Sequence, residues 1–271
     1  MTLEQNINKL YQKKDNFNEN DFQVFNDFKK QLNAGSVRAA EKKDNIWKTN
    51  IWVKKGILIG FRMGNIVSME WSPQKTFFDK HTFPEYNYTQ LKKVRIVPGG
   101  SSIREGSYIG EGVTMMPPSF VNVGAYVDEG TMLDSHSLVG TCAQIGKNVH
   151  LSAAAMIGGV IEPIGNNPVI IEDEAFIGGN CGIYEGVIVS EKAIIAAGVV
   201  LTASTKVYDL VNDCFISSTT DKPLTIPPNA VVISGTRQIK GDKGISIYCP
   251  VIVKYRDSKT ELSVRLEEIL R

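Results

Sequence analysis

The sequence predicts a mainly β protein: a left-handed parallel β-helix of hexapeptide repeats, with a helical N-terminal domain and a small C-terminal strand and helix extension. Three observations lead there. Every sixth residue from Val97 to Ile157 is aliphatic, and the position four residues after each of these teeth is usually small. After one interruption the same comb resumes at Ile171 and runs to Val207.

The unbroken teeth are Val97, Ile103, Ile109, Met115, Val121, Val127, Leu133, Val139, Ile145, Leu151 and Ile157. If about one residue in four is Ile, Leu, Val or Met, such a run arises by chance with odds on the order of one in a million. Six residues advance an α-helix by about 240°, which would scatter the aliphatics around it. In a strand, residues an even number apart point the same way, so a hexad holds one short strand and its corner. A sustained hexad is the signature of a β-helix, and glycine, asparagine and aspartate near the corners favour its triangular, left-handed form. Because parallel strands usually cross over right-handedly, the regularity of the repeat must carry this assignment. Residues about eighteen apart then stack, and Met115, Leu133 and Leu151 form one internal column.

The expected division is 1–94 for the N-terminal domain, 95–236 for the β-helix with loop insertions near 161–170 and 208–225, and 237–271 for the extension. Before the comb, Thr2 and Gln5 form a capping box ahead of a stripe of Leu3, Ile7, Leu10 and Tyr11. Phe25, Phe28 and Leu32 mark a second helix that stops near Gly35. A third spans Asn50 to Met63, with Gly64 as terminator. After the comb, Ile245, Ile247, Cys249, Val251 and Val253 alternate as one strand, and Leu262, Leu266, Ile269 and Leu270 suit a short amphipathic helix.

A formal charge of +1 over 271 residues argues against a general nucleic-acid surface. The longest apolar run, Ile194 to Leu201, is far shorter than a membrane span of about twenty residues, and Met1 to Lys14 is too polar for a signal peptide. A cytoplasmic location is expected. Cys142, Cys181, Cys214 and Cys249 lack metal-site spacing and are expected to stay reduced, with no bound metal.

Aliphatics fill the axis of a β-helix, so a site must form between subunits or under loops, and flat faces favour a homotrimer. Chemistry is sought on outward positions, which include Arg104, Asn122, Asp128, Asp134 and Glu172. Asp128, Glu129 and Asp134 cluster on consecutive hexads.

The run Asn122-Val-Gly-Ala-Tyr-Val-Asp-Glu-Gly-Thr-Met-Leu-Asp134 closely resembles the tetrahydrodipicolinate N-succinyltransferase family. So do Val139-Gly-Thr-Cys-Ala-Gln-Ile-Gly-Lys-Asn-Val-His-Leu-Ser152 and Ile157-Gly-Gly-Val-Ile-Glu-Pro163. Val37-Arg-Ala-Ala-Glu-Lys42, Trp52-Val-Lys-Lys55 and Ser246-Ile-Tyr-Cys-Pro-Val-Ile-Val-Lys254 agree with the same family, so the resemblance covers nearly the whole chain, ends included.

The resemblance implies transfer of succinyl from succinyl-CoA, a co-substrate, to the amine of opened, hydrated tetrahydrodipicolinate in diaminopimelate and lysine biosynthesis. No permanently bound cofactor is implied. Arg95 matches a substrate-binding arginine suited to a carboxylate. Asp134 matches the substrate-binding acid and is the expected amine-facing carboxylate and general base. Asn122 is a further substrate-binding candidate. A second family carboxylate falls at Gly182, a departure for which Glu185 is the nearest replacement, and His136 stands where a tryptophan is expected. CoA is expected along the groove between β-helices, its pantetheine near Ala197 and Gly198 and its phosphates near Arg237, Lys240 and Lys243. Direct attack needs no acyl-enzyme, so Cys142 is read as packing.

Two other functions fit a β-helix. A hexapeptide acetyltransferase would use acetyl-CoA on the same amine or on a sugar amine, with His150 as base. A non-catalytic scaffold would bind neither substrate. A zinc enzyme would need three convergent histidines, whereas His81, His136 and His150 occupy unrelated positions.

Overall fold

The computed structural model describes residues 1–72, 75–91, 93–239 and 244–257. Helix α1 is Leu3–Tyr11, and Thr2 and Gln5 exchange the predicted capping-box hydrogen bonds. Helix α2, Glu19–Asn33, has a second box between Asn18 and Asp21, and Gly35 follows its end at φ +69°. Helix α3 is Ile51–Met63. Its preceding residue, Asn50, does not cap it with its side chain but donates to the Arg38 carbonyl at 2.8 Å. The three helices enclose Ile7, Phe25, Phe28, Val53 and Ile57. A Cβ at Gly56 would lie 2.5 Å from the Phe28 ring, so the absence of a side chain there permits this contact.

Two antiparallel hairpins join the helices, Ala40–Lys43 with Ile46–Thr49 and Ile66–Ser72 with Lys75–Lys80. The sequence reading missed both. The first is Ala-Glu-Lys-Lys followed by Ile-Trp-Lys-Thr, with exposed positions in each strand and little apolar alternation to mark it.

From Arg95 onward the hexads build three sheets of parallel strands, most only two residues long. Sheet I begins at Arg95–Ile96, sheet II at Ser102–Ile103 and sheet III at Tyr108–Ile109. Successive strands visit the three sheets in turn, and each pairs with the strand three further on. Leu133 pairs with Met115 on one side and Leu151 on the other, the expected column. The teeth are almost entirely buried, each contributing about 1.5–3 kcal/mol when it leaves water. Small residues fit the tight corners, and their hydroxyls satisfy buried backbone: Thr131 donates to the Gly146 carbonyl at 2.8 Å and accepts the Val149 amide.

The first tooth is displaced from its expected position. Ile96, not Val97, pairs with Met115, because the corner through Pro98, Gly99 and Gly100 holds one residue more than the hexad allows. Gly99 and Gly100 absorb it at φ +150° and +95°. The single strand expected over 245–253 is also two, Ser246–Tyr248 and Val251–Tyr255, separated at Cys249 and Pro250. The second lies antiparallel to Ala230–Ile233 at the end of sheet I. The terminal helix expected around Leu262 to Leu270 lies outside the described residues.

Two excursions leave the coil. One occupies 161–169 between sheets II and III. The other contains a hairpin of Val207–Asp209 with Cys214–Ile216 before the chain rejoins sheet III at Thr225–Ile226. No helix among the described residues is long and apolar enough to cross a membrane.

Candidate active site

Asp134 directly follows the Met132–Leu133 strand of sheet I, where the chain turns toward sheet II. One carboxylate oxygen accepts the Ser135 amide at 2.7 Å, which orients the group and leaves the other oxygen available to an incoming amine. Arg95 is exposed on the same sheet, two strands away, about 10 Å across the backbone. Further along the same I/II edge lie Ala197 and Gly198, three strands from Asp134, or about 14 Å. Gly198 adopts φ +76° with its N–H donating to the Gly179 carbonyl at 2.9 Å, and a Cβ there would meet nothing within 4 Å, so the space beside its Cα is clear.

Arg237 lies on the Thr236–Gln238 strand, paired with Ser246–Tyr248. Tyr248 Oη accepts the Val200 amide at 2.7 Å, which holds this hairpin beside Gly198. The hairpin therefore brings Arg237 to the same end of the coil as Ala197 and Gly198. Lys240 and Lys243 lie outside the described residues.

Asn122 and Glu185 lie elsewhere, on the edge between sheets II and III. Asn122 accepts the neighbouring Val123 amide at 2.8 Å, and Val123 belongs to the N-terminal core. Glu185, at φ +55°, accepts the Ala203 amide at 3.1 Å and lines a cleft of about 670 Å³. Glu162 and Asn166 of the excursion face it there, together with Tyr184 and the Gly158–Gly159 backbone. The Tyr184 ring lies over two glycines: a Cβ at Gly182 would meet it at 2.4 Å and one at Gly158 at 2.6 Å. The chain thus divides the expected site residues between two edges that flank sheet II.

The clustered outward acids also separate. Glu129 pairs with Lys147 at 3.1 Å on the III/I edge, away from Asp134. Glu172 is nearly buried and accepts the Trp47 indole at 2.6 Å, fastening the first hairpin to sheet III. His150 rests against Phe176, with ring centroids 4.8 Å apart, and His136 occupies an exposed corner at φ +63°. Cys142 is fully buried, which pushes its thiol up to about 12. Such a thiol is unsuited to attack a thioester.

Other residues reach the coil from the N-terminal domain and were missed in the sequence. Arg38 donates to Gln144 at 2.8 Å with its guanidinium 3.6 Å from the centre of the Tyr126 ring. Lys54 is completely buried and donates to the Asn166 carbonyl at 2.6 Å. Its place beside Val53 and three residues before Ile57, on the buried side of α3, was the available signal.

Residues 2–63 match the family model described as "Tetrahydrodipicolinate N-succinyltransferase N-terminal", and residues 168–203 match "Hexapeptide repeat of succinyl-transferase". A 2,3,4,5-tetrahydropyridine-2,6-dicarboxylate N-succinyltransferase from Psychrobacter is 42% identical over all of this chain and 99% of its own. Enzymes of the same name from Buchnera aphidicola and Paraburkholderia phymatum are 44% and 46% identical over 89% of this chain and 86% of theirs. A crystal structure from Campylobacter jejuni, described as a "putative 2,3,4,5-tetrahydropyridine-2-carboxylate n-succinyltransferase", superposes with a TM-score of 0.56. It is 18% identical and covers 89% of this chain and 64% of that one, a likeness of fold. With the coil, both flanking regions and most of the relatives' length accounted for, the chain belongs to the 2,3,4,5-tetrahydropyridine-2,6-dicarboxylate N-succinyltransferase family of acyltransferases.

Proposed function

We propose that this enzyme transfers the succinyl group of succinyl-CoA to the amine of opened, hydrated tetrahydrodipicolinate, releasing CoA and N-succinyl-2-amino-6-oxopimelate in lysine and diaminopimelate biosynthesis. The observation that carries the reading is identity above 40% to enzymes of that name over nearly the full chain. In this reading the unengaged oxygen of Asp134 takes the proton of the acceptor ammonium. The freed amine attacks the thioester carbonyl and the C–N bond forms; the C–S bond then breaks as the attached nitrogen sheds its second proton, which the departing CoA thiolate takes up. Open backbone amides at the corners are suited to the oxyanion. Arg95 pairs with an acceptor carboxylate, pantetheine follows the backbone at Ala197 and Gly198, and Arg237 with Lys240 and Lys243 meets the CoA phosphates.

The division of site residues between two edges supports an assembly in which the I/II edge of one subunit faces the II/III edge of a neighbour. A homotrimer of left-handed coils satisfies that arrangement with three equivalent inter-subunit sites. Asn122 and the Glu185 cleft then supply the second wall of the acceptor site, where Glu162, Glu185 and Tyr184 favour an ammonium group. The proposed domains are 1–94, 95–236 and 237–271, and the proposed location is the cytoplasm.

The deciding experiment is CoA release by purified protein supplied with tetrahydrodipicolinate or 2-aminopimelate and either succinyl-CoA or acetyl-CoA. Release with succinyl-CoA is expected. Preference for acetyl-CoA would overturn the donor, and no release with either would overturn the reaction.

A further inference from the structure

The 161–169 excursion is a fixed wall, held from the N-terminal domain and from the coil. Thr49 Oγ1 donates to Asn167 Oδ1 at 2.6 Å, and Ile161 packs against the N-terminal core. The Asn167 carbonyl sits directly on Gly186, where a Cβ would approach it to 2.7 Å. The remaining tie is Lys54, whose ammonium reaches the Asn166 carbonyl from α3.

Lys54 is the unusual member of this set. It is inaccessible to solvent, and burial lowers its proton affinity from the ordinary lysine value. No carboxylate pairs with it among the described residues, and the buried Cys142 thiol beside it is uncharged near neutral pH. Stability alone does not require the amine. An unbranched apolar chain of similar length would fill the site without an ammonium to desolvate. What the amine supplies is a donor aimed at one carbonyl, in a segment whose other face lines the cleft beside Tyr184 and Glu185.

We infer that Lys54 is a positioning residue for the acceptor site: by holding the Asn166 carbonyl it fixes Glu162 and Asn166 opposite Tyr184 and Glu185. The N-terminal domain thereby sets the width of a cleft to which, among the described residues, it contributes no lining side chain. The inference rests on the reading of that cleft as the second wall of the acceptor site.

The test compares Lys54→Met with Glu185→Gln and Tyr184→Phe in the full-length enzyme. Lys54→Met is expected to melt within about 3 °C of the wild type, because the space stays filled and a buried charge is removed. Its KM for the acceptor is expected to rise about tenfold or more, with KM for succinyl-CoA unchanged. Amides 164–167 are expected to exchange hydrogen faster. A purely structural lysine would instead lower the melting temperature and leave both KM values alone, which would overturn the inference. If Glu185→Gln and Tyr184→Phe raise the acceptor KM while Lys54→Met does not, the inference fails and the cleft reading stands. If neither of those two variants changes it, the cleft reading itself fails, and the inference with it. Should Lys54→Met not fold, Lys54→Gln, which keeps a donor, takes its place; failure of both to fold would assign Lys54 to stability and overturn positioning.

Discussion

The I/II and II/III edges are made by the same hexads, stacked on the same core, yet they present different chemistry. Along I/II, Asp134 stands half-buried and Ala197 and Gly198 are exposed, so this edge is open at these corners. Along II/III, α3 closes on the early coils so tightly that a Cβ at Gly124 would lie 2.5 Å from Ile57 Cδ1. The later coils of that edge carry the Lys54-tied excursion and its cleft. A repeat fixes where outward side chains stand, and departures from the repeat decide which of them become enclosed.

The largest expected effect falls on the open edge. Asp134→Asn keeps the shape of the side chain and its contact with the Ser135 amide but cannot accept the amine's proton. Turnover is expected to fall about a hundredfold or more with an unchanged melting curve. Near-normal turnover would remove Asp134 as the base. Arg95→Ala comes next: KM for the acceptor is expected to rise about tenfold, the scale of a lost charge-assisted contact, while KM for succinyl-CoA stays constant. An unchanged acceptor constant would place Arg95 outside the site.

One substitution made at two glycines compares the edges directly. Gly124 and Gly198 adopt nearly the same φ, +75° and +76°. Alanine therefore costs each about 1 kcal/mol of backbone strain. At Gly124 the added methyl also meets Ile57, and overpacking adds about 1–3 kcal/mol. At Gly198 it meets nothing. Thermal melting should therefore separate the variants, with Gly124→Ala the less stable. Gly198→Ala should instead raise KM for succinyl-CoA, and equal melting losses would show that α3 yields at Gly124.

The coil was legible because its rule is local. Any six residues carry one inward tooth, so Leu133 could be placed opposite Met115 and Leu151 without knowledge of the rest of the chain. The rule failed at Val97, where two consecutive glycines let a corner absorb a residue that the period does not count. Asp134 and Arg95 were singled out through family resemblance; their shared sheet follows from the hexad register. The partners of Lys54 and Arg38 were not legible, because each lies far along the chain where spacing does not reveal it. Lys54 meets Asn166 across 112 positions and Arg38 meets Gln144 across 106. Tyr184 was not singled out either: its ring rests on Gly182, two residues back, and on Gly158, which follows the neighbouring strand that pairs with that of Gly182.

That last contact gives the smallest effect and the sharpest check on the walled edge. Gly182→Ala places a methyl 2.4 Å from the Tyr184 ring, closer than packed atoms allow, so the ring must tilt away from its glycine floor. The expected cost is about 1–2 kcal/mol, at the lower end for overpacking because the ring borders a cleft and has room to move. Tyr184→Ala removes the ring, and in that background Gly182→Ala should cost nearly nothing. The two changes are therefore expected to couple by about 1 kcal/mol in a double-mutant cycle of melting data. Additive losses would mean that the ring does not rest on Gly182 in solution. The cleft wall would then owe its shape to the excursion alone.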